Sequence, residues 1–392
     1  MNKRTGDASY IKKINRSLIL KNIVEHGMIS RADLSKIVGL NKATISVQVA
    51  DLLEENLIYE TQLEHFSIGR RPIMLAVNGK AGYVLGIDVD HHQIQCTVCD
   101  LTGRTIQSDT LNLQSDNYDE IVQILIKHIK RYARKYAKSH FGLVSVVIGI
   151  HGTINKDESI LFVPKYNWHR KNLKLDLEQE LENIDIFIEN NANLSANAER
   201  VYHYHHSNNL LTIILTSGIG AGIMIDGKLH KGYNGYAGEM GHMIIVPDGE
   251  PCKCGNLGCW ERYASEPTLV SQLSKQLNIP GLTHKDVQTM IVKQDPIINE
   301  YIDQFIKYLS IGLNNIINLY NPESLVLNSE LLRLYPNAIQ KIESNLTSSM
   351  SNYHELTISE LGNKACVMGA CALAIQRFLD VPELIYSPSR ES

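Results

Sequence analysis

"IENNANLSANAER", residues 188–200, sets three asparagines among the four positions 190–193, directly after an apolar run. Ile186, Phe187 and Ile188 read as the end of a buried strand, and Ser195, Ala196 and Ala198 as the first turns of a helix. A strand end that feeds a helix N-terminus is where open α/β sheets hold their ligands. The stretch therefore predicts an α/β fold with a binding site at Asn190–Asn191. An amide donates and accepts hydrogen bonds but takes no proton at neutral pH. The carboxylate that would act as a base is missing, so these side chains are expected to grip a ligand rather than react with it.

Working outward, residues 83–113 read as two strands joined at His91–His92, with a third after the turn at Leu101–Arg104. A helix over 118–138 and strands over 143–150 and 184–189 follow. A second glycine-bearing unit, "LLTIILTSGIGAGIMIDGKL", begins near 210. A helix over 298–319, the apolar run "SLVLN" and a final helix over 365–379 close the chain. Strand-rich units alternating with helices, twice over, predict two α/β lobes with a cleft between them. Cys96 and Cys99 form a CxxC, but on a strand that spacing points the two thiols to opposite faces. They, with Cys366 and Cys371, are expected to be core thiols.

The motif with the most specific chemistry is "GEMGHMIIVPDGEPCKCGNLGCWERYAS", residues 238–265. One imidazole and three thiols, at His242, Cys252, Cys254 and Cys259, match a closed tetrahedral zinc site. Gly255 and Gly258 permit the tight loop that such closure needs. Four protein ligands leave no open position, so one structural Zn2+ per chain is expected, with no Lewis-acid role.

At 392 residues, 20% charged and 44% hydrophobic, the chain is long enough for two or three well-cored domains. No run reaches the ~20 apolar residues that span a bilayer, and "MNKRTGDASY" lacks the apolar segment of a secretory signal. Seven cysteines form no paired framework. A reduced, cytoplasmic protein is the expectation. The net charge of −4 hides an asymmetry, because residues 1–42 carry nine Lys/Arg against three acids. A basic end on an acidic body predicts one part for a polyanion and another for something else.

The basic end has the spacing of a helix-turn-helix. Leu18, Ile19, Leu20, Ile23 and Val24 follow a helical period that Gly27 stops. Ser30 with Asp33 resembles a capping box for a helix through Val38. Gly39 turns the chain and Asn41 caps a third helix from Lys42 to about Glu55. Ile45, Val49, Leu52 and Leu53 fall on one face of it, and Ala43, Thr44 and Val47 on the other, flanked by Ser46 and Gln48. These small, methyl-bearing and amide side chains suit base edges, so residues 42–53 are the expected recognition helix. The following "LIYETQLEHFSIGRRPIMLAV" reads as a two-stranded wing, with Arg70 and Arg71 near its tip, placed for phosphates or a narrow minor groove.

"TSGIGAGI" (216–223), "YAGEMGH" (236–242) and the His/Cys cluster together resemble the ROK family of repressors and sugar kinases. The resemblance runs through residues 80–380, and a winged helix in front marks the repressor branch. "NKATISVQVADLL", "GRRPIMLAVNGKAGYVLGID", "NWHRKNL", "AGEMGHM" and "CGNLGCWERYASE" are similar to its xylose-responsive members. The resemblance implies an actin-like, ribonuclease-H-like pair of lobes at 81–392 that closes on a sugar, behind a winged helix-turn-helix at 1–80.

Family kinases carry Glu-Asn-Asp-Ala-Asn where this chain has Glu189-Asn190-Asn191-Ala192-Asn193, and their Asp is the base. Their phosphate loop reads Asp-x-Gly-Gly-Thr-Lys, whereas here Asp88 is followed by Val89-Asp90-His91-His92-Gln93. Both departures argue against phosphoryl transfer. By resemblance, Asn190, Asn191, Glu239, His242 and Glu261 line the sugar site with Gly152 close by. His242 would hold zinc through one ring nitrogen and sugar through the other. Asn167 and Trp168 would pack on the sugar's apolar edge, and His151 stands where the family often has proline. The expected protein is not an enzyme but a homodimeric repressor, which binds double-stranded operator DNA and is released by xylose. The alternatives are glucose or N-acetylglucosamine as effector, or a sugar kinase with a DNA-binding part.

Overall fold

A computed structural model describes residues 8–62, 72–90 and 92–386. The chain opens with α1 (Ala8–His26), a short β1 (Met28–Ser30), α2 (Arg31–Val38) and α3 (Lys42–Glu54). The capping signals act where the sequence places them. Ser30 Oγ accepts from Asp33 N at 3.1 Å, Gly39 ends α2 in the left-handed conformation, and Asn41 Oδ1 accepts from Thr44 N at 2.8 Å. β2 (Ile58–Gln62) and β3 (Ile73–Val77) pair antiparallel as the wing. β1 adds a third strand by pairing with β3, so the sheet order is β1-β3-β2. Arg70 and Arg71 lie outside the described residues, as does His91.

The first lobe contains β4 (Gly82–Val89), β5 (Gln93–Asp100), β6 (Thr105–Asn112), α4 (Tyr118–Tyr136), β7 (Gly142–Ile150), a small sheet of β8 (Thr153–Ile154), β9 (Ile160–Val163) and β10 (Trp168–Lys171), then α5 (Leu173–Glu178) and β11 (Asp185–Asn190). Its main sheet has the order β11-β7-β4-β5-β6, parallel from β11 to β4 and antiparallel beyond. Helix α6 (Asn191–Tyr202) follows without a break, so it starts earlier than the Ser195 turn suggested. The second lobe repeats the plan with β12 (Leu210–Ile214), β13 (Gly220–Ile225) and β14 (Lys228–Leu229). It continues through α7 (Glu261–Ala264), α8 (Glu266–Gln276), α9 (His284–Val292) and α10 (Pro296–Tyr320) to β15 (Ser324–Asn328), α11 (Glu330–Leu334), α12 (Ala338–Asn345) and β16 (Glu355–Ile358). Its sheet order is β14-β13-β12-β15-β16, again three parallel strands with an antiparallel edge.

The last helix, α13 (Ala365–Leu379), returns to lie across β4 and β7 of the first lobe, while α6 lies across β12 and β13 of the second. The two helices pack on one another between the lobes. A Cβ at Gly369 would come within 1.8 Å of the Leu194 carbonyl oxygen, so only glycine lets the backbones approach this closely. Gly222, on β13 within the "TSGIGAGI" stretch, serves packing in the same way, with a Cβ position 2.3 Å from the Ala192 carbonyl oxygen.

One hydrophobic core joins the front of the chain to the first lobe. Ile19, Leu20 and Ile23 of α1 share it with Val84, Cys99, Val201, Leu379, Val381 and Leu384. Cys96 belongs to a different cluster from Cys99, as expected for thiols on opposite faces of β5, and all seven cysteines are free. No helix among the described residues is long and apolar enough to cross a membrane.

Candidate ligand cleft and metal centre

The cleft floor is built from strand ends and helix starts of both lobes. Asn190 ends β11 and caps α6, with Oδ1 accepting from Ala192 N at 2.8 Å and Asn193 N at 3.1 Å. Its Nδ2 donates to Gly152 O at 2.9 Å, which ties the cap to the loop after β7. Asn190 is therefore mostly committed to holding the helix start, and one amide hydrogen remains for a ligand. Asn191, the first residue of α6, is buried, with Nδ2 3.3 Å from His151 Nδ1.

His151 is the residue whose position the sequence left open. Its Nε2 lies 2.8 Å from Asp88 Oδ1 and its Nδ1 3.1 Å from Ser217 Oγ, so the ring joins β4 of the first lobe to the β12–β13 turn of the second. Burial pushes the imidazole pKa down, but the Asp88 charge and hydrogen bond, with Asp90 beyond, outweigh it and leave the pKa raised. Two further contacts cross between the lobes. Thr153 Oγ1 donates to Glu239 Oε1 at 3.2 Å, and the buried Glu189 carboxylate pairs with Lys231 while accepting from Asn193 Nδ2 at 3.0 Å. His151, Thr153, Lys231 and the pairing role of Glu189 were not legible beforehand, because their partners lie dozens of residues away.

Glu239 and His242 flank a 3-10 turn at Met240–His242. His242 Nε2 faces Glu239 Oε2 at 4.0 Å, while Nδ1 faces Cys252 Sγ at 3.6 Å. Cys254 Sγ and Cys259 Sγ are 3.6 Å apart, and one donor atom from each of His242, Cys252, Cys254 and Cys259 fits within 4.8 Å of all the others. A tetrahedral zinc with bonds of ~2.3 Å to sulfur and ~2.0 Å to nitrogen requires edges of about 3.8 Å between sulfurs and about 3.6 Å from sulfur to nitrogen. The four residues fit such an ion. Burial pushes the Cys252 thiol up to about 12, so a central cation is what would make its thiolate the stable form. Gly258 closes the loop with φ +81°, where a Cβ would lie 1.7 Å from the Val246 carbonyl oxygen. Glu261 lies on the thiol side of the ring, with Oε1 3.6 Å from His242 Nδ1 and accepting from Cys252 Sγ at 3.2 Å.

Two expectations are corrected. Trp168 does not face a sugar. It is 4% exposed, stacks on Tyr166 and donates from Nε1 to Asp116 O at 3.0 Å, which makes it core. Asn167 holds a left-handed backbone beside it. Gln48 does not lie on the open face of α3. At 4% exposure it joins Ile45, Val49 and Leu52 in the buried stripe, because 45, 48, 49 and 52 are the i, i+3, i+4 and i+7 positions. Lys42, Ala43, Ser46 and Val47 are exposed and Thr44 is half-buried, so five of the six expected contact positions on that helix remain available.

The sequence profile of the ROK family matches residues 84–377. The chain belongs to the ROK family. The xylose repressor of Bacillus spizizenii is 37% identical over 384 residues, covering 97% of this chain and 99% of its own. A solved ROK family transcriptional regulator, described as a homologue of the E. coli MLC protein, superposes with TM-score 0.80 at 26% identity, covering 94% of this chain and 97% of the other. A ROK glucokinase from Streptomyces griseus, solved with glucose and AMPPNP, gives TM-score 0.66 at 25% identity, covering 75% of this chain and 100% of its own. Both lobes are thus the ROK fold, and the likeness to the regulator extends further along this chain than the likeness to the kinase. In this ROK chain Asp88 is held by His151 Nε2, and the Asn191 amide meets the other nitrogen of the same ring.

Proposed function

We propose that the chain is a transcriptional repressor that xylose releases from operator DNA. The observation that carries this reading is the end-to-end likeness to a xylose repressor in a chain that also joins a helix-turn-helix to a polar cleft. Residues 1–80 bind DNA and residues 81–392 sense the sugar. Lys42, Ala43, Thr44, Ser46 and Val47 enter the major groove, and Arg70 and Arg71 contribute contacts to the DNA backbone. Two copies act together, because paired half-sites place recognition helices one turn (~34 Å) or a multiple apart.

In the cleft, Asn191, the free amide hydrogen of Asn190, Glu239 and His242 Nε2 meet the sugar's hydroxyls, each of which donates and accepts. Glu261 supports the thiol side, and Gly152 lends its carbonyl to the Asn190 cap at a position where a Cβ would meet the Phe162 carbonyl oxygen at 2.4 Å. A Zn2+ ion held by His242, Cys252, Cys254 and Cys259 fixes the ring's tautomer and stiffens the loop that carries Glu239. It supplies no chemistry to a substrate. Asn191 offers no proton acceptor at neutral pH, and Asp90, two residues beyond the Asp88 that the kinases share, adds negative charge where a nucleotide's phosphates would approach. The protein senses; it does not phosphorylate.

The test is fluorescence anisotropy of an operator fragment with the full chain, titrated with xylose, glucose and N-acetylglucosamine, beside an assay for ADP. Xylose is expected to release the DNA without ADP formation. Release by glucose or N-acetylglucosamine alone would reassign the effector, and sugar-dependent ATP turnover would overturn the sensor reading.

A further inference from the structure

Helix α6 links the cleft to the DNA-binding end. It starts at Asn191 and runs about 18 Å at 1.5 Å per residue. At its far end the buried Arg200 donates from Nη2 to Glu383 Oε1 at 2.6 Å. The second oxygen of the same carboxylate accepts from Lys21 Nζ, on α1, at 2.9 Å. Tyr386 N also donates to Val201 O at 3.2 Å, so the segment after α13 is bonded to α6 at two points.

A parallel strut reaches the same place. Helix α13 is pressed against α6 at Gly369 and ends at Asp380, whose carbonyl accepts from Ser17 Oγ at 2.7 Å and whose carboxylate pairs with Lys13 at 3.0 Å. Val381, Leu384 and Tyr386 lie in the same core as Ile19, Leu20 and Ile23.

We propose that residues 380–386 form a coupling strap, in which Glu383 relays displacement of α6 to α1 and so carries sugar occupancy to the recognition helix. The inference rests on the repressor reading above and names its internal regulation. A ligand seated on Asn191 bears on the start of α6. A helix packed this closely moves as a body, because packed interfaces switch between arrangements and do not bend by small degrees. The Glu383 side chain bonds α6 and α1 at once. It acts as a positioning residue and touches no ligand.

The test uses the full chain and two variants, Glu383→Gln, which weakens both links, and Lys21→Met, which breaks only the link to α1 and leaves Arg200 paired. Operator affinity is measured with and without saturating xylose, and xylose affinity is measured without DNA. The parent's sugar-induced loss of operator affinity is expected to be about 5- to 150-fold, the usual span of coupling between sites. In both variants that ratio should fall at least about threefold, while xylose affinity stays within about twofold of the parent. A purely structural role would shift stability or sugar affinity and spare the ratio. Lys21→Met decides the outcome if Glu383→Gln does not fold. A ratio that falls by less than this overturns the strap alone. A parent whose operator binding ignores sugar overturns the repressor reading, and the strap with it.

Discussion

Replacing Asn191 by alanine isolates the grip of the cleft from the stability of the fold. Asn191 is 9% exposed, and its Nδ2 makes one hydrogen bond, to His151 Nδ1 at 3.3 Å. The cap of α6 is Asn190, not Asn191, so the helix keeps its start, and alanine is the best helix former for the vacated position. His151 keeps its bonds to Asp88 and Ser217. The expected stability cost is at most about 1 kcal/mol, a Tm change of about 2–4 °C. Sugar binding should suffer more, because a hydroxyl left without a partner in a closed cleft costs ~1–3 kcal/mol, or about 5- to 150-fold in Kd. Calorimetric titration with xylose measures the loss, and operator anisotropy without sugar should stay within about twofold of the parent. The variant would then stay on DNA at sugar levels that release the parent. Xylose affinity equal to the parent's would refute the placement of Asn191 against the sugar.

Three further outcomes follow from the geometry. Ser46→Ala and Val47→Ala should each relax preference at a base pair by ~1–3 kcal/mol, whereas Gln48→Ala should leave sequence preference intact and lower only stability; binding to a panel of single-base operator variants separates them. Cys254→Ser should drop zinc below half an equivalent by elemental analysis and abolish the sugar response, since the same ion holds His242 and the turn bearing Glu239. Burial pushes the Glu199 carboxyl from its ordinary 4.5 to about 7, against the Ser359 hydroxyl that lowers it, and its Oε2 has no partner among the described residues. A raised folded pKa contributes stability that is complete below 4.5 and lost as pH climbs through 7. Glu199→Gln should therefore remove that slope and stabilise the protein above pH 7 by up to about 3 kcal/mol in thermal or urea unfolding.

Local signals carried most of the fold into view. Ser30 with Asp33, Asn41 and the hairpin turns act within a few residues, and the sequence spells them out. The His/Cys loop is legible for the same reason, since four ligands within eighteen residues need only a tight loop to meet. Gln48 misled because a polar side chain at one position of a buried stripe hides the stripe's true width. β1 is three residues long, too short for its period to register, and it exists because β3 offers an open edge. His151 shows the larger gap. Its partners at 88, 191 and 217 meet only when both lobes are assembled, and no spacing rule spans that distance.

The core shared by Ile19, Leu20 and Ile23 with Leu379, Val381 and Leu384 bears on how such proteins can be rebuilt. A chimera cut at residue 80, giving this DNA-reading end a foreign sensor, would strip α1 of its apolar cover and leave Lys21 without Glu383. Grafting would have to carry the last turn of α13 and the eight residues from Leu379 to Tyr386 along with the first eighty. The transplantable unit is thus discontinuous in sequence, its two pieces lying at opposite ends of the chain.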